Sequence, residues 1–230
     1  MLVTSRSFAE YVAFFALDPD RLPCRVVDCS AGVSGFVAAA AIRGCAAVAV
    51  DPAYREPVDR LAETARAGAL GGSSMVAEHR DRFSFEWYGT PERQRALRAA
   101  AMEACLADRR RRPDHYVAAA LPRLPFADAS FDLALCSHLL FTWANVFDAA
   151  WHEAAIREMA RVAGEVRVFP LVHQGSGEAV GFLHSLRDRL AADSGLVTRV
   201  ESVPYAFQLG GDEMLVVSRP LDPATPTDAV

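Results

Sequence analysis

Residues 24–51 read CRVVDCSAGVSGFVAAAAIRGCAAVAVD, and this stretch restricts the fold more tightly than any other. A branched apolar run stops on Asp28 and breaks into Ser30, Gly32, Ser34 and Gly35. An alanine-rich segment then closes at Gly44, and a second apolar run ends on Asp51. Strand, small-residue loop, helix and strand at this spacing make a βαβ unit, which requires a parallel sheet. In such sheets ligands sit beyond the carboxyl ends of the strands, where the strand order reverses. The loop from Asp28 to Gly35 falls at that place.

Ser7 with Glu10 forms a capping box that opens a short helix. After Asp51 a helical pattern over 55–68 leads into a Gly/Ser turn, ALGGSS. FSFEWYG follows, then a strong helix over 91–112 that begins on a proline. Strands are expected at HYVAAAL (115–121), from 131 into a loop, and at EVRVFPLV (165–172), with helices over 148–164 and 177–195. VTRVESVPYAF and DEMLVVSR, joined by Gly210-Gly211, read as an antiparallel hairpin. The expected fold is a doubly wound, mainly parallel seven-stranded sheet with a C-terminal antiparallel hairpin and a helical insertion, 68–112, between strands two and three. One domain spans 1–220, and 221–230 is a flexible tail.

Composition removes several chemistries. The 230 residues include no lysine, which excludes a Schiff-base lysine, a phosphate-loop lysine and a Tyr-x-x-x-Lys dehydrogenase pair. A net charge of −5 offers nothing to attract nucleic acid or an anionic membrane. Cys24, Cys29, Cys45, Cys105 and Cys136 lack metal-ligand spacing, so buried thiols in a reducing cytoplasm and no metal are expected. Glu10 interrupts the apolar N-terminal segment, so it does not read as a secretion signal, and no uncharged apolar stretch is long enough for a bilayer.

The loop fits two templates and a turn without a ligand. Ser30-x-Gly32-x-x-Gly35 is a dinucleotide fingerprint lacking its first glycine. Asp28-x-Ser30-x-Gly32-x-Ser34 is an acidic loop for S-adenosylmethionine (SAM) with two glycines replaced. Asp28 favours the second, because a carboxylate opposes a pyrophosphate but can hold an α-ammonium. Asp51 suits either reading as acceptor for ribose hydroxyls.

Leu124-Pro125-Phe126, then Asp128 through Asp132, then Glu158 through Val162, occur in the order typical of class I SAM-dependent methyltransferases, and the chain resembles that superfamily over roughly 7–52 and 115–218. The resemblance implies SAM as cofactor, held by Asp28, Ser30, Gly32, Ser34, Asp51, Tyr54, the backbone at Leu121, and Ser137. Two departures stand out: serines at loop glycine positions, and Ala120 where the family carries the acid that receives the adenine amino group. The implied reaction is in-line methyl transfer to a small-molecule acceptor, with the chain a monomer or homodimer. A non-catalytic SAM-binding or regulatory protein is the alternative, and a nicotinamide oxidoreductase ranks below both.

Methyl transfer needs alignment and, for a protonated acceptor, a base. His138, after the fourth strand, is either that base or a packing residue. Trp143, His173, Trp87 and Tyr88 are candidate substrate contacts, with Tyr205, Phe207 and Gln208 on the rim. The aromatic cluster Phe83, Phe85, Trp87 and Tyr88 makes the 68–112 insertion a candidate cap, with a dimer interface as rival. His152 and His184 read as structural, and the run Arg109–Arg112 as a solvated helix end.

Overall fold

The computed structural model describes residues 3–174 and 176–220. Strand β1 (Arg25–Cys29) runs parallel to β2 (Ala46–Val50), with Asp28 opposite Ala49 and helix α2 (Phe36–Ile42) between them. β1 also pairs in parallel with β4 (Phe131–Ser137), β4 with β5 (Ala163–Phe169), and β2 with the short β3 (Tyr116–Val117). β6 (Val197–Ser202) and β7 (Glu213–Ser218) are antiparallel, with β7 also antiparallel to β5. The seven-stranded order is β3-β2-β1-β4-β5-β7-β6. Strand order reverses between β1 and β4, and the residues just past those two strands are Ser30 and His138.

Helices α1 (Phe8–Phe14), α3 (Val58–Glu78) and α4 (Pro91–Arg111) contribute, with α2, to one apolar layer that includes Phe14, Phe36, Leu61 and Cys105. Helices α5 (Ala149–Val162) and α6 (Leu183–Ser194) supply Ile156, Met159 and Leu186 to the other. α1 carries both halves of its capping box: the Ser7 hydroxyl accepts the Glu10 N–H, and Glu10 accepts the Ser7 N–H.

The Glu158 to Val162 segment is a structural clamp. Glu158 accepts the Leu124 N–H at 2.7 Å, while Arg161 ties Glu158, Asp128 and the carbonyls of Leu124 and Phe126 together. Two distant pieces of sequence pattern are thus one set of hydrogen bonds that fixes the turn before β4.

Four local expectations change. The Gly/Ser stretch 69–74 is not a turn but continues α3 to Glu78. Ser73 and Ser74 donate to the carbonyls of Ala69 and Leu70 four residues back, which keeps their side chains inside the helical pattern. The third strand shrinks to Tyr116–Val117, since only those residues reach register with Ala49 and Val50 at the sheet edge. The hairpin turn is a ten-residue connection, 203–212, rather than a tight Gly-Gly turn. It is pinned from outside: Ser84 N–H donates to Phe207 and Leu209 N–H to Arg82. Finally, Arg109 is buried, not solvated; its guanidinium donates to the carbonyls of Tyr54 and Glu56. The 221–230 segment lies outside the described residues.

Candidate functional site

The loop after β1 is covered by the N-terminal strap. Val33 N–H donates to the Thr4 carbonyl at 3.1 Å and Gly35 N–H to the Arg6 carbonyl at 2.9 Å. A Cβ on Gly32, at φ +57°, would meet the Thr4 carbonyl oxygen at 2.5 Å, so only glycine fits there. Ser30 stands at φ +61°, a conformation that costs a non-glycine residue about 1–2 kcal/mol.

Ser34 and Asp28 do something other than expected. The Ser34 hydroxyl donates to one Asp28 oxygen and the Tyr11 hydroxyl to the other, each at 3.1 Å. Asp28 is fully buried and, like Ser34, does not line the cavity. Burial pushes the Asp28 carboxyl up to about 7, with the two hydroxyls opposing it. Asp28 therefore organises the loop from behind. Tyr54 acts in the same way. Its hydroxyl donates to the Gly32 carbonyl at 2.7 Å and its ring packs on Tyr116, so it props the loop and does not line the cavity.

Asp51 does reach the cavity. Its two oxygens accept the N–H groups of Gly32 (3.0 Å) and Ala53 (2.9 Å). Burial raises its pKa against those two hydrogen bonds. Each carboxylate oxygen keeps further acceptor capacity, as a vicinal diol requires.

The cavity measures about 860 Å³, toward the upper end of the ~300–1,000 Å³ typical of ligand sites. Ser30, Gly32, Asp51 and Leu121 line one part, and Ser137, His138 and Trp143 another. The second half of α3 and one face of α4 close it, so part of the 68–112 insertion forms its wall. Within the aromatic cluster, Phe83 and Phe85 line the cavity, whereas Trp87 and Tyr88 do not. Tyr88 is fully buried, bonded to Glu10 and Tyr205, and Trp87 packs edge-on against Tyr88 and Tyr205. These two aromatics are a buttress one layer back. His173 also stays outside. Its backbone bonds Glu178 and receives the Gln208 side chain, while Gln174, Phe207 and Gln208 line the cavity.

His138 sits at φ +56°, with Nδ1 2.8 Å from the Ser137 hydroxyl and its ring against Phe14 and Phe169. Burial, reinforced by Arg6 and Arg98, pulls its pKa well below 6.5, so the imidazole is neutral at pH 7. His152 is fully buried in α5 with Nδ1 on the Asp148 carbonyl, and His184 is exposed beside Asp188. Arg6, Gln94, Arg98 and Thr142 were not anticipated from the sequence. Only the four-residue spacing of Gln94 and Arg98 on one helix face could have flagged any of them.

The sheet is ordered 3-2-1-4-5-7-6 with β7 antiparallel, and a covered glycine loop sits at the switch point, as the resemblance to class I SAM-dependent methyltransferases implies. A methyltransferase domain family matches residues 95–165, a stretch that begins after the loop. An uncharacterised protein of Methanocaldococcus jannaschii is 24% identical over 219 residues, covering 95% of this chain and 96% of that one. Among solved structures, a putative O-methyltransferase from Nostoc punctiforme is 15% identical (TM-score 0.46), over 91% of this chain and 53% of that one. The chain thus spans about half the length of that protein. The 1,6-didemethyltoxoflavin-N1-methyltransferase of Burkholderia thailandensis, with bound S-adenosylhomocysteine (SAH), is also 15% identical (TM-score 0.47), over 86% of this chain and 71% of that one.

Two outcomes follow from the loop. Asp28 has a folded pKa near 7 against an ordinary 3.8, so the folded state holds its proton longer than the unfolded chain. Its contribution to stability is complete below about pH 4 and is lost as pH rises through about 7. Asp28→Asn should therefore melt higher than wild type above pH 7, with the gap closing toward pH 4. A gap that stays constant across that range in thermal scans would refute the protonation. Ser30→Gly relieves about 1–2 kcal/mol of strain and gives back about 0.4–1 kcal/mol of chain entropy. Urea unfolding should show a net gain, and a loss would mean that the Ser30 side chain makes a compensating contact.

Proposed function

We propose that the protein is a SAM-dependent methyltransferase of a small-molecule acceptor. The supporting observation is a single cavity that joins Asp51 and the Ser30–Gly32 loop to the neutral imidazole of His138. Asp51 would accept the ribose hydroxyls. Leu121 and Pro52 offer apolar contact for adenine, with the backbone at Ala120 and Leu121 standing in for the missing acid. When bound, SAM supplies an electrophilic methyl whose carbon–sulfur bond breaks with its electron pair left on sulfur.

His138 would take the proton of the acceptor. In the tautomer whose Nδ1–H donates to the Ser137 hydroxyl, Nε2 carries the free lone pair the reaction requires. A depressed pKa makes it a weak base that is always in its basic form. Ring packing against Phe14 and Phe169 holds its plane. The cap formed by α3 and α4 would exclude water from the acceptor.

A SAH-binding protein without turnover is the second reading. It is favoured by the strained Ser30, by an Asp28 that does not reach the cavity, and by Ala120.

Calorimetric titration with SAM, SAH and NADH separates these classes. SAM and SAH should saturate, and binding of NADH alone would overturn both readings. Asp51→Ala should weaken SAH by about 1.5–3 kcal/mol, or roughly 10–100-fold, with the fold intact. Unchanged affinity would remove Asp51 from the ribose site. With an acceptor in hand, kcat/KM should lack an acid limb near pH 6.5, and His138→Ala should lower kcat by up to about 10²-fold. Full turnover of that variant at every pH would leave His138 a packing residue.

A further inference from the structure

Beside His138 the cavity holds more positive charge than its surroundings neutralise. Arg6 comes from the N-terminal strap and Arg98 from α4; both line the cavity, and both lower the pKa of His138. Among the described residues the only carboxylate that faces them closely is Glu10, and it is fully engaged. It accepts the Ser7 N–H and hydroxyl, the Tyr88 hydroxyl and Arg98 Nε. Burial and then Arg98 push the Arg6 pKa down, and Glu10 only partly offsets them. Arg6 donates one hydrogen bond, to the Ser5 carbonyl at 2.8 Å, and its Nε is buried without a partner.

The other titratable groups nearby cannot supply the missing negative charge. Burial raises Tyr88 and Tyr205 and keeps both neutral, and His138 is neutral. Asp28 is closed off behind the loop by Tyr11 and Ser34. Gln94, one helical turn before Arg98, also lines the cavity, with its amide nitrogen buried and unpartnered. Two guanidinium groups against one carboxylate leave one net positive charge among unsatisfied donors. Both guanidinium groups are half-buried at the cavity surface, so the charge is only partly solvated and an anion in the cavity would complete it.

We propose that the methyl acceptor is a carboxylate-bearing small molecule whose carboxylate lies against Arg6 and Arg98 while its nucleophilic atom faces His138. This rests on the methyltransferase reading of the same cavity. A carboxylate matches the single uncompensated charge, and a planar guanidinium receives it through two parallel hydrogen bonds. Phe83, Phe85 and Phe207 on the same wall suit a flat apolar body. The rival source of a carboxylate is the methionine portion of SAM, and the test separates the two.

Benzoate and its neutral isostere benzamide are titrated into wild type, Arg6→Gln and Arg6→Lys, each with and without saturating SAH, and melting temperatures report folding. Wild type loaded with SAH should prefer benzoate by at least tenfold. Arg6→Gln should abolish that preference, Arg6→Lys should restore part of it, and SAH affinity should stay within twofold throughout. A large loss of SAH affinity in Arg6→Gln, or displacement of SAH by benzoate, would assign the arginine to the cofactor and overturn the proposal. Equal binding of benzoate and benzamide to wild type would overturn it as well. If SAH fails to bind wild type, the methyltransferase reading fails, and the benzoate preference without SAH still reports whether the anion site exists.

Discussion

The buried carboxylate of Glu10 is where the separate parts of the chain become one site. It caps α1 through Ser7, anchors α4 through Arg98, and receives the Tyr88 hydroxyl from the segment after α3. Tyr88 in turn meets the Tyr205 hydroxyl at 2.6 Å, which brings in the connection between β6 and β7. Burial alone would raise the Glu10 pKa. Arg98, Arg6, the Ser7 amide and the Tyr88 hydroxyl reverse that, and the group stays ionised. A buried charge is tolerated only when it is fully paired. The strap, insertion and C-terminal connection therefore hold their places around the cavity partly because this carboxylate needs all of them. Losing one partner leaves the others facing an unsatisfied charge.

The loop shows a different arrangement from the one its residue types suggest. In the sequence, Asp28 and Ser34 resemble ligand-binding groups. In the fold they bond each other, Tyr11 completes the set, and the result is a hydroxyl-carboxyl cluster under the loop. Asp51 then couples the loop to β2 by accepting the Gly32 amide, while Tyr54 holds the Gly32 carbonyl. Gly32 is thus gripped at both its amide and its carbonyl and pressed by Thr4 from above. That rigidity gives a physical reason why serine is tolerated at φ +61° in position 30: the surrounding bonds determine the backbone and the serine accommodates it.

The sheet and the order of its elements were legible because β1-loop-α2-β2 carries both periodicity and turn chemistry in one short stretch. The Glu158 to Val162 pattern was legible as pattern only; its meaning as an arginine clamp on the 124–128 turn required coordinates. Composition reports that the aromatics of 83–88 cover something, not which residue of the cluster faces which way. Phe83 and Phe85 line the cavity while Tyr88 turns to Glu10. The Gly/Ser stretch carries a turn signal because glycine lowers helix propensity by about 1 kcal/mol per residue. Propensity lost to a helix already running from Val58 and packed on α4. Arg6 carries no local signal at all, since its role depends on a charge balance assembled from four distant segments.

The same weak helix bears on how the site would work. Residues 68–76 of α3 form part of the cavity wall, yet Gly71 and Gly72 touch nothing within 4 Å of a potential Cβ and Leu70 is 74% exposed. Little packing at 70–72 and two glycines make local opening cheap there. The Glu10 side of the cavity is the reverse, with Glu10 tied to Ser7, Tyr88 and Arg98, and Tyr88 tied on to Tyr205. A ligand would thus meet one wall preorganised by charge and another able to yield. The two properties separate because Arg98 bonds Glu10 and Tyr88, Tyr88 continues to Tyr205, and Arg6 bonds its neighbour Ser5, and none of these bonds runs to the second half of α3.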